Sequence, residues 1–226
     1  MDTSYSYQDS LHLLNDSEWN KLSLQNKASV LQSVENEVAR REGRPPCNVS
    51  LFSEAPKNGS YTAGQYNPAN GNTELNTHHL SGKASDCLTT ILHEGRHSYQ
   101  EKAVSGKVYH HNQAELKAWR HNMKPGNYIE AEKNIRAYYR QPIEADSREY
   151  ADITSRQILT EQKIQNNSTN KGIEAARQKA AANQSGKSSS QSTNKRIENY
   201  RNMVSGQSIG NSNSGGSQST GRGQER

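Results

Sequence analysis

The sequence predicts an α+β domain, mainly helical with a small antiparallel sheet, followed by a disordered C-terminal tail. Three observations carry that expectation. Apolar residues recur at helical spacing through residues 24–42 and 84–100. Between those stretches lies the turn-rich run Asn67-Pro68-Ala69-Asn70-Gly71-Asn72, with extended segments on either side. Past about residue 166 the composition changes to Asn, Gln, Ser, Gly and Lys, too poor in large apolar side chains to offset the entropy of ordering.

Taken in order, residues 1–15 are polar and aperiodic and read as a flexible arm. The domain is then expected over residues 16–165, and the tail over 166–226. Asp16 and Ser17 can cap a short turn containing Trp19 and Leu22. Ser23 can cap a longer helix to about Glu42, with Leu24, Ala28, Leu31, Val34 and Val38 on one stripe. Gly43 and Pro45-Pro46 end it. Strands are expected at Asn48 to Phe52, Tyr61 to Tyr66 and Thr73 to Asn76, and His78-His79 read as loop histidines. Helices are expected over Gln113 to Met123 and Tyr128 to Arg140, separated by Lys124-Pro125-Gly126-Asn127, and from Pro142 to about Ile164. Within the tail, Gly172 to Asn183 reads as a fraying helix. Asn194 to Val204, with Ile197, Tyr200 and Val204 aligned, reads as an apolar cluster or a docking helix.

The chemistry centres on His93-Glu94-Gly95-Arg96-His97. On a helix the two histidines lie one turn apart, so both can reach one metal ion while Glu94 sits beside it. Neutral imidazoles bind zinc and leave positions open, and the carboxylate can take a proton from metal-activated water. Helical context is met: Ala84, Leu88, Ile91, Leu92, Gly95 and Tyr99 form one face, and Asp86, Thr90, His93, His97 and Gln100 the other. Ser85 or Asp86 can start this helix and Gly106 can stop it.

The motif supplies two protein donors, and a catalytic zinc site needs a third. The metzincin pattern would place Gly at position 100 and His at 103, where this chain has Gln100 and Ala103. His110, His111 and His121 are available donors. Glu144 is favoured, because Pro142 suits the first position of a helix and Ser147 and Ala151 leave space on the carboxylate's face. Asp146 is the alternative, and the two acids point in nearly opposite directions on a helix. If not a ligand, Asp146 is expected behind the site or paired with Arg96.

The stretch Ile91 to Gln100, followed by Gln141-Pro142-Ile143-Glu144-Ala145-Asp146 and Tyr150-Ala151, resembles the small gluzincin-like (zincin) metallopeptidase domains of bacterial phage, mobile-element and toxin-type proteins. The resemblance spans roughly residues 16 to 160, but only the two motifs are specific. It implies a zinc-dependent endopeptidase with His93, His97 and Glu144 as metal ligands, Glu94 as general base and a protein or peptide as substrate. Asp146 with Tyr150 is loosely similar to the aspzincin pattern. In such folds a sheet lies beside the metal helix, and its edge strand pairs with substrate. Tyr139, Tyr150, His111 and His121 are the residues weighed as oxyanion donors. A contrasting reading is a non-catalytic zincin-fold adaptor working through its tail, which would have no need of Glu94.

Composition narrows the field further. Only 30% of the 226 residues are hydrophobic, and the apolar runs are short, so no transmembrane helix and no membrane partner is expected. The N-terminus has neither a basic nor an apolar region of a secretory leader, which leaves a cytoplasmic protein or one exported by a route other than Sec. A net charge of +5, concentrated in the C-terminal third, does not indicate a nucleic-acid-binding core. Cys47 and Cys87 are the only cysteines and read as inert thiols rather than a disulfide, with Cys87 on the apolar side of the motif helix.

Overall fold

A computed structural model of the chain describes residues 4–57 and 59–204, with residues 180–204 as backbone only. The chain divides into two compact units, Met1–Asn170 and Lys171–Arg226.

In the first unit, α1 (Tyr7–Leu13) and α2 (Asp16–Trp19) lead into α3 (Leu24–Glu42). The segment expected to be a flexible arm is thus partly helical. Ser6 caps α1 by accepting from the Asp9 N–H, and Leu11 and Leu14 are buried, one turn apart on the side facing α3. Polar neighbours hide that short apolar spacing in the sequence. Ser23 caps α3 as expected, and Gly43, at φ 68°, closes it in the left-handed conformation.

Strands β1 (Asn48–Phe52), β2 (Gly64–Asn67) and β3 (Asn72–Asn76) form a sheet in the order β1-β3-β2. The expected hairpin is present, with β2 antiparallel to β3 and Gly71 at φ 72° in its turn. The sheet as a whole is mixed rather than antiparallel, because β1 runs parallel to β3, Val49 opposite Thr73 and Leu51 opposite Leu75. After β1 the chain passes beyond the central position, and the hairpin returns β3 between its neighbours. Along the outer edge of β1 the Gln32 amide accepts from the Val49 N–H at 2.7 Å and donates to the Cys47 carbonyl at 2.9 Å. One side chain of α3 therefore substitutes for a neighbouring strand.

The short α4 (Thr77–Leu80) contains His78 and His79, which had been expected in a loop. It leads to α5 (Ala84–Val104), the helix that carries the motif. Lys83, not Ser85 or Asp86, occupies the cap position, and Gly106 at φ 77° follows the helix end. Next come α6 (Gln113–Asn122) and α7 (Ile135–Arg140), then α8 (Pro142–Val204). The helix expected from Tyr128 begins only at Ile135, capped by Asn134. Upstream, the Gln141 amide holds the backbone of Ile129 through both its N–H (2.8 Å) and its carbonyl (2.7 Å), which ties that segment to the start of α8.

The core joins the two long helices. Val30, Leu31, Val34 and Val38 of α3 pack with Leu88, Ile91 and Leu92 of α5, together with Trp19, Leu75, Leu80 and Ala151. Each such side chain removed from water contributes roughly 1.5–3 kcal/mol. Tyr99, Leu116, Trp119 and Ile143 form a second cluster beyond the end of the motif. Cys47 and Cys87 are buried free thiols, as expected, and burial pushes Cys87 up to about 12. Among the described residues, no helix is long and apolar enough to cross a membrane.

Beyond residue 166, where composition predicts disorder, α8 continues through Val204. Helical hydrogen bonds are local and need no buried core, and the Ala-, Gln- and Lys-containing stretch from Gly172 is made of good helix formers apart from its glycine. A Glu174–Gln178 contact at 3.2 Å adds a one-turn bond there. The side chains of the Ile197, Tyr200 and Val204 cluster, and the whole of residues 205–226, lie outside the described residues.

Candidate metal centre

The face assignments on α5 place the chemistry. Ala84, Leu88, Ile91, Leu92, Gly95 and Tyr99 are buried against the core, while His93 and His97 are partly exposed on the other face. Their Nε2 atoms approach to 3.1 Å. Glu144, in the first turn of α8, is 0% exposed and projects between them, with Oε2 3.4 Å from His93 Nε2 and Oε1 3.4 Å from His97 Nε2. Ligand-type atoms of His93, His97 and Glu144 all lie within 4.8 Å of one another.

Those spacings can be compared with what a metal needs. Zinc bonds of about 2.0–2.1 Å in tetrahedral geometry put neighbouring ligand atoms about 3.3 Å apart. The observed 3.1 and 3.4 Å are close to that edge length. A buried carboxylate oxygen ordinarily has a partner, yet Glu144 Oε2 has no hydrogen bond among the described residues. Its other oxygen accepts from the Tyr128 hydroxyl at 2.7 Å. The donor set therefore fits a divalent cation, with one oxygen anchored and the other available.

Hydrogen bonding also fixes which nitrogen of His97 carries its proton. The Gln100 amide nitrogen donates to the Ile143 carbonyl at 2.9 Å and to Asp146 Oδ2 at 2.7 Å, two groups that can only accept. Its oxygen is thereby turned to His97 Nδ1 at 2.9 Å and requires an N–H there. Nε2 of His97 is left with its lone pair facing His93 and Glu144, the tautomer a metal ligand needs. Ser147 Oγ, also near Nδ1 at 3.2 Å, donates to the Ile143 carbonyl. Gln100 is thus buried, not on the open polar face where helical periodicity had put it.

Asp146 is turned away from the three donors. It takes both nitrogens of Arg96, at 2.9 and 3.1 Å, as well as the Gln100 amide. Arg96 also reaches Glu42 at 3.1 Å and lies over the rings of Tyr99 (4.2 Å) and Tyr150 (4.5 Å). Of the two acids weighed for the site, Glu144 is the one brought to the histidines, and Asp146 supports His97 from behind through Gln100.

Electrostatics agree with this arrangement. Burial alone would raise Glu144, but the facing imidazoles of His93 and His97 and the Tyr128 and Tyr138 hydroxyls outweigh it and bring the carboxyl down to about 2. His93 is held above its ordinary value: burial opposes the charged form, and Glu144 and Glu94 overcome it. Burial, reinforced by Glu144, keeps the Tyr128 and Tyr138 hydroxyls protonated.

Glu94 is buried beside the ligands, and its Oε2 accepts the Tyr66 N–H of β2 at 2.8 Å. The backbone of β2 thus orients the proposed base, and the N–H of Tyr66 is already committed along the edge expected to pair with substrate. His93 and Glu94 open into a cleft of about 1020 Å³ between the Glu54–Gly64 segment, α5 and the Tyr128–Tyr139 segment.

The remaining predicted residues lie elsewhere. His110 is buried between the Tyr99 hydroxyl (3.1 Å) and Glu115 (2.8 Å), and His111 stacks on it. His121 is exposed at the end of α6. His79 bridges Tyr61 and Thr90 on the cleft wall. Of the four residues weighed as oxyanion donors, only Tyr139 lines the cleft. Tyr128 and Tyr138, whose hydroxyls lie by Glu144, are the residues at the centre that sequence reasoning missed. The one signal pointing to them is the Gln in Gln141-Pro142-Ile143-Glu144, whose amide anchors Ile129, the residue after Tyr128.

An α+β domain whose first long core helix supports a motif helix, with two histidines and a glutamate converging beside a cleft that His93 lines, is the class these elements define. No protein-family model, curated protein or solved structure matches the chain.

Proposed function

We propose that this chain is a zinc-dependent endopeptidase with a gluzincin-like, zincin-type domain, in which His93, His97 and Glu144 hold the metal and Glu94 is the general base. One observation carries the reading: His93 and His97 present their Nε2 atoms 3.1 Å apart, with the Nε2 lone pair of His97 oriented by Gln100, and buried Glu144 Oε2 faces His93 at 3.4 Å without a hydrogen bond of its own among the described residues. Zinc bound there would polarise a substrate carbonyl and acidify water. Glu94, held by the Tyr66 N–H, takes the proton from the attacking water and passes it to the leaving amide nitrogen. Tyr138, on the same wall and edge-on to Tyr128 at 6.3 Å, would offer a hydroxyl to the oxygen that becomes negative. A purely structural module would not require a buried carboxylate beside the ligands.

The test combines metal analysis with release of peptides from casein. Purified protein should carry about one zinc per chain and cleave casein. Glu94→Gln should keep the zinc while turnover falls by a factor on the order of 10^2 to 10^4. Zinc-loaded wild type that releases no peptide from any unstructured substrate would leave the adaptor reading in its place.

A further inference from the structure

The walls of the cleft carry a second kind of information. Glu54 and Asp86 stand on one side, and Glu130 and Glu132 on the segment opposite. Against these four carboxylates the lining offers a single ammonium, Lys57, which pairs with Glu54 at 3.0 Å. Glu130 has a partner outside the cleft in Lys133, also at 3.0 Å, but both side chains are more than half exposed, and such pairs exchange readily with solvent. Behind the lining, Arg148 stands 4.0 Å from Glu144 and over the Tyr139 ring, so zinc and Arg148 would face Glu144 and Glu94 at the centre, and the surplus on the walls is acidic. The chain as a whole is basic, so the acidity of this cleft runs against the net charge of +5.

Aromatic rings are set among those carboxylates. Tyr61 and Tyr128 line the cleft with 39 and 42% of their surface exposed, alongside Ile135, while the ring of Tyr139 is already covered by the Arg148 guanidinium at 4.7 Å. An exposed tyrosine face beside a carboxylate suits the stem and charged head of Lys or Arg, through apolar contact along the methylenes and cation–π attraction at the tip. An acidic side chain of a substrate would meet repulsion from both walls.

We infer that the cleft selects extended polypeptide bearing lysine or arginine side chains close to the reacting bond. This rests on the peptidase reading for the reacting bond, and adds to it the class of substrate. Glu130, Glu132 and Asp86 are the residues that set the preference, and the tyrosines supply the surface on which the basic side chains lie.

The experiment uses the zinc-loaded full chain with Glu94→Gln, so that peptide is not consumed. Two fluorescein-labelled peptides of equal length, one rich in Lys and Arg and one rich in Glu, are titrated by anisotropy. The basic peptide is expected to bind at least about tenfold more tightly at low salt, with the difference shrinking as salt rises. Combined Asp86→Asn, Glu130→Gln and Glu132→Gln substitutions should weaken the basic peptide by about tenfold, since exposed charges act modestly one by one, and leave zinc content unchanged. Equal affinities for the two peptides, or an unchanged affinity in the triple variant, overturns the inference. Wild-type turnover separates the two proposals. Efficient cleavage of both peptides at equal rates retains the peptidase and discards the preference. Selective binding of the basic peptide without cleavage retains the preference and discards the peptidase.

Discussion

Gly95 sits in the middle of the motif helix, where local propensity alone says that alanine would be better by about 1 kcal/mol. The surroundings reverse that sign. A Cβ added at Gly95 would lie 2.8 Å from Glu35 Oε2 and 3.0 Å from Arg44 Nη2. These atoms belong to an ion pair whose side chains are 1% and 0% exposed, closed by a second Arg44–Glu35 contact and by the Cys47 N–H at 2.7 Å. Neither partner is the free end of a flexible surface chain, so the clash cannot be relieved by rotation into solvent. Overpacking of this kind costs about 1–3 kcal/mol, and separating a buried pair costs about 3–5 kcal/mol. Either exceeds the propensity gain or roughly equals it at the low end. With the gain of about 1 kcal/mol subtracted, overpacking leaves about 0–2 kcal/mol and separation about 2–4 kcal/mol, so Gly95→Ala is expected to lower stability by roughly 1–3 kcal/mol, which for a chain of this size is a fall in Tm of about 2–12 °C. Urea unfolding should show a lower midpoint with an unchanged slope. Zinc content at low temperature should be preserved, because Gly95 faces away from His93 and His97. A rise in Tm, or loss of metal without loss of stability, would refute this account of the packing behind the motif.

Two further outcomes follow from contacts on other elements. Glu144→Ala should lose zinc in a mild chelator competition that wild type survives, whereas Asp146→Ala should keep it with affinity weaker by about 10- to 100-fold, as for a partner that orients a ligand through Gln100; the reverse order would exchange their roles. Glu161 is held below its ordinary value of 4.5 by hydrogen bonding from Arg41, against the opposing effect of burial and with help from Tyr7. A depressed folded pKa contributes stability that is present above 4.5 and is lost as pH falls through the lower folded value. Glu161→Gln should therefore reduce the acid-induced loss of stability below about pH 4.5, measured by thermal melts across that range, and an identical acid limb in the variant would show that the α3–α8 contact contributes nothing.

What could be read in advance divides by the range of the interaction. His93, Glu94 and His97 are legible because their placement depends on one helix, and the apolar residues around them state which way that helix faces. Glu144 is legible for a similar reason: Pro142 fixes where α8 begins, and the small Ser147 and Ala151 on its buried face show which side approaches α5. Tyr128 is not legible, since its position depends on the Gln141 amide gripping Ile129, a bond between a loop and a later helix that no periodicity announces. The sheet order fails in the same way. The Asn70-Gly71 turn identifies the hairpin, but nothing local says that β1 joins it alongside β3 and in parallel. The course of α8 past residue 166 is a feature that composition does not anticipate. Composition reasoning asks whether a segment can bury apolar surface, and a helix can form from local hydrogen bonds without doing so.

The two unspecified positions of the motif show why the metal face and the scaffold cannot be varied independently. Gly95 lets α5 lie against the Glu35–Arg44 pair of α3 and the loop after it. Arg96 reaches from the same turn to Glu42 at the end of α3 and to Asp146 on α8. Within five consecutive residues, His93 and Glu94 line the cleft, His97 meets Glu144 beside them, and two residues tie the helix to the elements on either side. Asp146 is joined both to Arg96 and, through Gln100, to His97, so the charge that anchors α5 to α8 also holds the imidazole in its tautomer. A lysine at position 96 would keep the positive charge but lose the two-pronged contact with Asp146 and the stacking between Tyr99 and Tyr150. Its effect should therefore reach the metal through Asp146, by way of Gln100 and His97, without any change in a ligand.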